Sequence, residues 1–370
     1  MEQDARSAFG QYGLKREYVT STAVWERESS QIFQRHWVCV GRVEELGVNG
    51  VRPFVWEGQQ LLAVCGDDVI CRVFRNVCRH RGSLLVQPEE CSAVGQRLQC
   101  PYHAWTYDRK GCLRAAPNME NVPGFEAKDL GLLEIPTAVV AGFLWINFAP
   151  QNSAAEFLEP IANVFAAWQL GELVVATELK YVVKANWKLL FQNYSECYHC
   201  PTVHPALNRL TPYLGSSNEL VSGPILGGPM QLAAGVGTMS EDGELVGSVI
   251  PSLDPLQKRQ VSYFTVFPNV FLSVHPDYVL IHRLQRLSNR ETEVVCQFLF
   301  QKQDRELLNF DPLRAVRFWD LTNRQDWEVC ERTQLGIEDV GYCPGPYSNL
   351  ESVVAAFDRH YLASLGDFDF

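Results

Sequence analysis

The sequence is short of positive charge: 32 Lys and Arg stand against 43 Asp and Glu, a formal net charge of −11. A nucleic-acid surface wants a basic patch, so that class of partner is not expected. Long apolar runs are also missing. The longest, AVVAGFLWINFA at residues 138–149, falls short of the roughly 20 residues that span a bilayer, so no membrane partner is expected. MEQDARSAFG, at residues 1–10, is polar and acidic, and no signal peptide is expected there. Twelve cysteines in 370 residues are too sparse for the framework of a small secreted domain. Reduced thiols, available as buried groups or ligands, and a cytoplasmic location are therefore expected. Internal repeats, low-complexity tracts and a GxGxxG after a strand are absent as well, which excludes a built-in NAD or flavin module. What remains is an ordinary globular composition, 46% hydrophobic and 20% charged, with length for two or three domains.

Patterning divides the chain. Ile32, Phe33 and Trp37 recur at helical spacing within residues 29–38. From residue 52 short β-like runs take over, LLAVC at 61–65 and VICRVF at 69–74, punctuated by Gly58, Gly66, Asp67 and Asp68 as turns. Strand character continues to WINF at 145–148, where Pro150 and QNS mark a boundary. Beyond it, residues 157–168 read as a helix, 173–184 as a strand, and 187–200 as a helix stopped by Pro201. Residues 215–258 are rich in Gly, Ser and Pro and read as long loops with a hairpin. Three strand-like runs follow, VSYFTVF, YVLIHRL and EVVCQFLF, and a helical part begins near Pro312. The expected class is α+β: a helical segment at 1–38 packing on the last domain, an all-β module at 39–150, and an α+β domain at 151–370 with a large antiparallel sheet.

Two Cys/His pairs, CRH at 78–80 and CPYH at 100–103, stand in the β module, each at an expected loop. Zinc sites space their pairs more widely than C-x-H. Two thiolates and two imidazoles in the order Cys-His…Cys-His suit a two-iron cluster, one iron taking the sulfurs and the other the nitrogens, as in a Rieske [2Fe–2S] centre. Neutral imidazoles remove negative charge and ease reduction, to about −150 to +300 mV against about −400 mV for plant-type clusters. The plainer alternative, four unrelated buried residues, has to contend with a doubled motif in β surroundings. Cys78, His80, Cys100 and His103 are thus the expected cluster ligands. The interval from His80 to Cys100 is long for this cluster, and an insertion at 87–90 (QPEE) absorbs it.

A second constellation lies in NYSECYHCPTVHP at residues 193–205. Glu196 and His199, three apart, share a helix face, whereas His204 on an ideal helix points elsewhere. A break at Pro201 lets both imidazoles swing toward one point. Two histidines and a carboxylate make the facial triad of a non-haem Fe(II) oxygenase, with positions open for dioxygen. The carboxylate is either Glu196 or one from residues 318–332, where Asp320 and Asp326 stand. Asp326 also suits a purely structural role, as an anion in the first turn of a helix capped by Asn323. His275 and His282, on strand-like runs, read as core or pocket-wall residues.

With both motifs in this order, the chain resembles the α subunits of Rieske non-haem iron oxygenases over nearly its whole length. ECYHCPxxHP, together with FPNVFLSVHPDYV at 267–279, resembles more narrowly the branch acting on choline, glycine betaine and carnitine. The resemblance implies a Rieske domain followed by a catalytic domain of helix-grip type. It implies mononuclear Fe(II) on His199, His204 and a late acid, with Asp326 preferred over Asp320 because DWEVCE matches the family's ligand-bearing helix. It gives Glu196 the role of a carboxylate bridging an iron histidine to a cluster histidine, here His103, across a head-to-tail trimer. Many members carry Asp there, so the longer Glu is a departure. Electrons would come from a separate NAD(P)H-dependent flavin and iron–sulfur reductase. Dioxygen and a small quaternary ammonium compound would be the substrates, hydroxylation beside nitrogen ending in dealkylation. Aromatic faces hold such a head at about 0.5–2 kcal/mol per good contact. Tyr194, Tyr263, Phe264, Phe267 and Tyr278 are candidates for that role, or ordinary core aromatics. Two other functions fit the modules, an aromatic-ring dioxygenase and a non-catalytic Rieske electron carrier. The second iron motif speaks against the carrier.

Overall fold

The computed structural model describes residues 11–46, 50–66, 68–88 and 95–367. The chain forms two compact units, one of Gln34–Glu159 and the other of Met1–Phe33 with Pro160–Phe370.

The Gln34–Glu159 unit is a set of short strands: β1 (Val38–Arg42), β2 (Val51–Trp56), β3 (Gln59–Cys65), β4 (Cys71–Arg75), β5 (Arg97–Gln99), β6 (Thr106–Asp108), β7 (Leu113–Ala115), β8 (Glu134–Ile135), β9 (Thr137–Val140) and β10 (Phe143–Ile146). They pair as three antiparallel sheets, β1-β10-β9, β2-β3-β4-β8 and β5-β6-β7. Glu57 and Gly58, both at positive φ, turn β2 into β3, the mirror-image geometry whose twist matches paired strands. The core gathers Leu62, Val64, Phe74, Leu98, Trp105 and Tyr107 around Cys78 and Cys100. Both expected thiolate ligands are therefore anchored in apolar packing.

The helix expected over 29–38 lies earlier. α1 (Arg16–Thr20) and α2 (Thr22–Glu28) end in one wide turn at Ser29–Phe33. Val38 instead opens β1, because its buried run VCVGR finds a partner in β10. α3 (Ala154–Val164) stops short of Trp168, which sits in a separate 3-10 turn. β11 (Leu173–Val183), β12 (Ile225–Gln231), β13 (Gln260–Val266), β14 (Val270–Val274), β15 (Tyr278–Ser288) and β16 (Glu291–Gln301) form one antiparallel sheet in the order β11-β16-β15-β14-β13-β12. β14 escaped the sequence reading since it is buried throughout and shows no alternation. α4 (Trp187–Tyr194), α5 (Cys200–Val203) and α6 (Pro205–Leu210) precede β12, and α7 (Leu313–Glu338) and α8 (Ser352–Leu365) close the chain. Tyr278, Leu280 and Phe298 of the sheet pack with Ala315, Phe318 and Trp319 of α7. That contact fixes the helix that matters most to the site.

Two cysteine pairs depart from the expectation of free thiols. Cys65 and Cys71 face each other in the β3–β4 register, Cys197 and Cys200 close a C-x-x-C turn, and both pairs are disulfides. The QPEE insertion is described only as far as Pro88, while the turn at Asp67 and the polar stretch 1–10 lie outside the described residues. Among the described residues no helix is long and apolar enough to cross a membrane.

A buried carboxylate ties the second unit together. Glu28 accepts from Lys188 Nζ (2.5 Å), Tyr361 Oη (2.8 Å), Trp187 Nε1 (3.1 Å) and Arg286 Nη1 (3.0 Å). Burial pushes the Lys188 ammonium pKa down, and Glu28 opposes it. Removing one partner of such a cluster strands the others as uncompensated charge. Glu28→Ala is therefore expected to lower stability by about 3–5 kcal/mol in urea unfolding, and a loss below about 1 kcal/mol would contradict the role given to it.

Candidate metal centres

The two Cys/His loops are built alike. Cys78 N–H donates to the Ser83 carbonyl and Gly82 N–H to the Cys78 carbonyl; Cys100 N–H donates to Trp105 and Ala104 N–H to Cys100 in the same pattern. Each loop turns through a left-handed residue at its fifth position, Gly82 in one and Ala104 in the other. The thiols point inward and are buried, whereas His80 and His103 are exposed. Their rings lie 4.7 Å apart, and His80 stacks on Trp105. Tyr107 Oη lies 3.4 Å from Cys78 Sγ and accepts from Arg79 N–H. Burial pushes the Cys78 thiol pKa up, so a free thiolate is disfavoured there. Two sulfurs on one side and two nitrogens on the other supply the donors of a two-iron cluster with one iron of each kind.

The second constellation is assembled by local rules that differ from the expected single helix. α4, capped by Asn186, ends at Tyr194. The Glu196 carboxylate then accepts the backbone N–H groups of Tyr198 and His199, turning the chain into α5. Pro201 does not stop a helix but sits in the first turn of α5, where its missing N–H costs nothing. The break comes at His204 (φ −123°, ψ 64°), because Pro205 opens α6 and keeps its predecessor out of helical geometry. That kink lets two histidines five residues apart converge, with ring centroids 5.1 Å apart.

Asp326 completes the group. His204 Nε2 lies 2.7 Å and His199 Nε2 3.3 Å from its Oδ1, and one donor atom from each of the three falls within 4.8 Å of the others. Asn323 lies in mid-helix on α7, so the capping alternative for Asp326 does not apply. Asp320 is elsewhere, accepting from Tyr181 Oη (2.7 Å) and Arg324 Nε (2.9 Å). Glu196 stands behind the group: its Oε1 is 2.5 Å from His199 Nδ1, on the far side of the ring from Asp326. Burial alone would depress the His199 pKa, but hydrogen bonds to Asp326 and Glu196 outweigh it and raise the pKa to about 10. The site thus attracts positive charge, and its N, N, O donor set fits Fe(II).

This group lines a cleft of about 900 Å³, partly open to solvent, with Tyr194, Tyr263, Trp319 and Trp327 in its walls. The other three aromatic candidates are core: Phe264 packs on Phe165, Phe267 on Trp187, and Tyr278 between His275 and Phe300. His275 and His282 are fully buried, and burial depresses both pKa values, to about 3 and about 4. Trp319 was missed in the sequence. It lies two helical turns before Asp326, and that spacing would have placed it on the same face.

The profile of the ring hydroxylating alpha subunit catalytic domain matches residues 170–367, more than half of the chain, and that of the Rieske [2Fe-2S] domain matches residues 36–126. The chain belongs to the ring-hydroxylating alpha subunit family. It is an oxygenase of the Rieske type, carrying a [2Fe–2S] cluster and a mononuclear iron and drawing electrons from a separate reductase. The glycine betaine monooxygenase oxygenase subunit of Chromohalobacter salexigens is 28% identical over 93% of this chain and 83% of its own. The carnitine monooxygenase oxygenase subunit of Escherichia coli is 33% identical over 52% of each. The fold is shared with the quaternary ammonium Rieske monooxygenase CntA (TM-score 0.81, 21% identity, 98% of this chain and 96% of that one). It is shared also with naphthalene 1,2-dioxygenase from Rhodococcus sp. (TM-score 0.75, 16% identity, 95% and 94%).

In this oxygenase Asp326→Ala is expected to strip the mononuclear iron and abolish turnover, while the cluster's visible absorption stays unchanged. Iron analysis that shows this loss for Asp320→Ala, with Asp326→Ala iron-replete and active, would contradict the geometry.

Proposed function

We propose that the chain is the terminal oxygenase component acting on a small quaternary ammonium compound of betaine, choline or carnitine type, hydroxylating a carbon beside the nitrogen. The observation that carries this reading is the cleft, aromatic in its walls and lined also by the His199, His204 and Asp326 donor set. Relatives named for glycine betaine and carnitine support the substrate class. On this reading residues 39–150 form the Rieske domain, with Cys78, His80, Cys100 and His103 as cluster ligands. Residues 151–370 form the catalytic domain, with His199, His204 and Asp326 as iron ligands.

When bound, the iron supplies the dioxygen chemistry and the cluster the electrons that this chemistry consumes. The side chains do the rest. Glu196 holds the proton of His199 on Nδ1, so that Nε2 presents its lone pair to the centre. Tyr194, Tyr263 and Trp319 offer ring surfaces to a trimethylammonium head, which needs no formal ion pair. A hydroxyl placed beside the nitrogen gives a hemiaminal, which expels the amine as the carbonyl forms. Glu196, in this account, also faces His103 of the partner subunit in a homotrimer. The assembly is cytoplasmic and is served by an NAD(P)H-dependent flavin and iron–sulfur reductase.

The runner-up, an aromatic-ring dioxygenase, has the likeness to naphthalene 1,2-dioxygenase in its favour. Oxygen uptake and product analysis with a surrogate reductase separate the two. Glycine betaine, carnitine or choline is expected to support oxygen consumption coupled to release of an aldehyde and a dealkylated amine. A dihydrodiol from an aromatic acid, with no turnover of any quaternary amine, would overturn the proposal.

A further inference from the structure

His204 and His199 are held in the same orientation by different groups. Each turns Nε2 toward Asp326, and each has a side-chain oxygen at Nδ1. For His199 that oxygen belongs to the charged Glu196; for His204 it is the amide Oε1 of Gln325, at 2.8 Å. An imidazole can offer a lone pair at Nε2 only when its proton rests on Nδ1, and with a cation at Nε2 it is the acceptor at Nδ1 that holds that proton. Gln325 also comes from the same helix as Asp326, one residue before it, so α7 delivers a ligand and the orienting group of a second ligand from adjacent positions. His204 is buried to 2% exposure, which leaves water little chance to replace the amide. Gln325 is half-buried and does not line the cleft, so it can reach the centre only through His204.

We infer that Gln325 is a positioning residue for the mononuclear site, fixing the Nδ1–H tautomer and ring angle of His204. This rests on the ligand set proposed above. Groups of this kind are worth about 10- to 100-fold in metal affinity. The neutral amide also leaves His204 a weaker donor than His199, whose Nδ1 proton is shared with a carboxylate.

The test is Co(II) binding, followed by calorimetry, to the full-length protein with its cluster intact and the mononuclear iron removed by chelation. Gln325→Leu, one atom shorter, keeps apolar bulk and loses the acceptor. It is expected to weaken Co(II) binding by about 10- to 100-fold with the cluster spectrum unchanged. Gln325→Glu keeps the acceptor and is expected to bind at least as tightly as the parent. Parental affinity in Gln325→Leu would overturn the inference. So would equal losses in the Leu and Glu variants, which would mark a packing role alone. Asp326→Ala serves as the control for the site itself: if it retains parental affinity, the ligand set fails and the inference with it. Loss in Asp326→Ala beside parental affinity in Gln325→Leu would overturn only the role of Gln325.

Discussion

A carboxylate on the inner face of a long helix must be met by partners, because burying a lone charge is costly. In this chain Asp326 is met by two imidazoles, and much of the second unit serves that meeting. α7 is pressed on the six-stranded sheet through Ala315, Phe318 and Trp319, which fixes the height and azimuth of Asp326. Pro205 forces His204 out of helical geometry, and the Glu196 carboxylate folds the preceding turn so that His199 arrives from the other side. None of these devices is a metal ligand reading by itself. Together they bring three donors to one point.

The two candidate centres solve opposite problems. In the β unit the thiols belong to the hydrophobic core and the histidine rings are at the surface. A cluster held this way would have its sulfur side in apolar packing and its imidazole side at the surface. In the other unit His204 is buried, and both ring nitrogens of each iron-site histidine face a side-chain oxygen. Glu196 stands where these demands meet. It is half-buried, touches His199 from behind, and lies outside the triad. Its carboxylate also caps the turn it sits in.

Much of this was legible beforehand for physical reasons. Cys/His pairs and E-x-x-H-x(4)-H are short-range patterns whose chemistry depends on spacing, and spacing is what a sequence states outright. Strands with turns between them, such as β3 and β4, announce themselves as short β-like runs punctuated by Gly58, Gly66 and Asp68. What failed depended on tertiary context. The helix expected at 29–38 lost its end to β1, since pairing with β10 outweighs a helical period. Pro201 reads as a stop because proline breaks a helix interior, but it occupies a first turn, and Pro205 is the residue that breaks the helix. Gln325 carries no motif, and only the packed helix shows what its amide faces. The disulfides at Cys65–Cys71 and Cys197–Cys200 follow from register and turn closure, which composition does not report.

The central claim is that Glu196 serves the iron site from behind His199 and is not one of its ligands. Rapid mixing of the reduced Glu196→Gln variant with dioxygen and substrate tests it most directly, since the amide keeps the shape and loses the charge-assisted bonds. The account predicts near-normal iron content, normal cluster reduction by the reductase, and sharply slowed cluster reoxidation. Reoxidation at the parental rate in an iron-replete variant, or loss of the mononuclear iron, would contradict it.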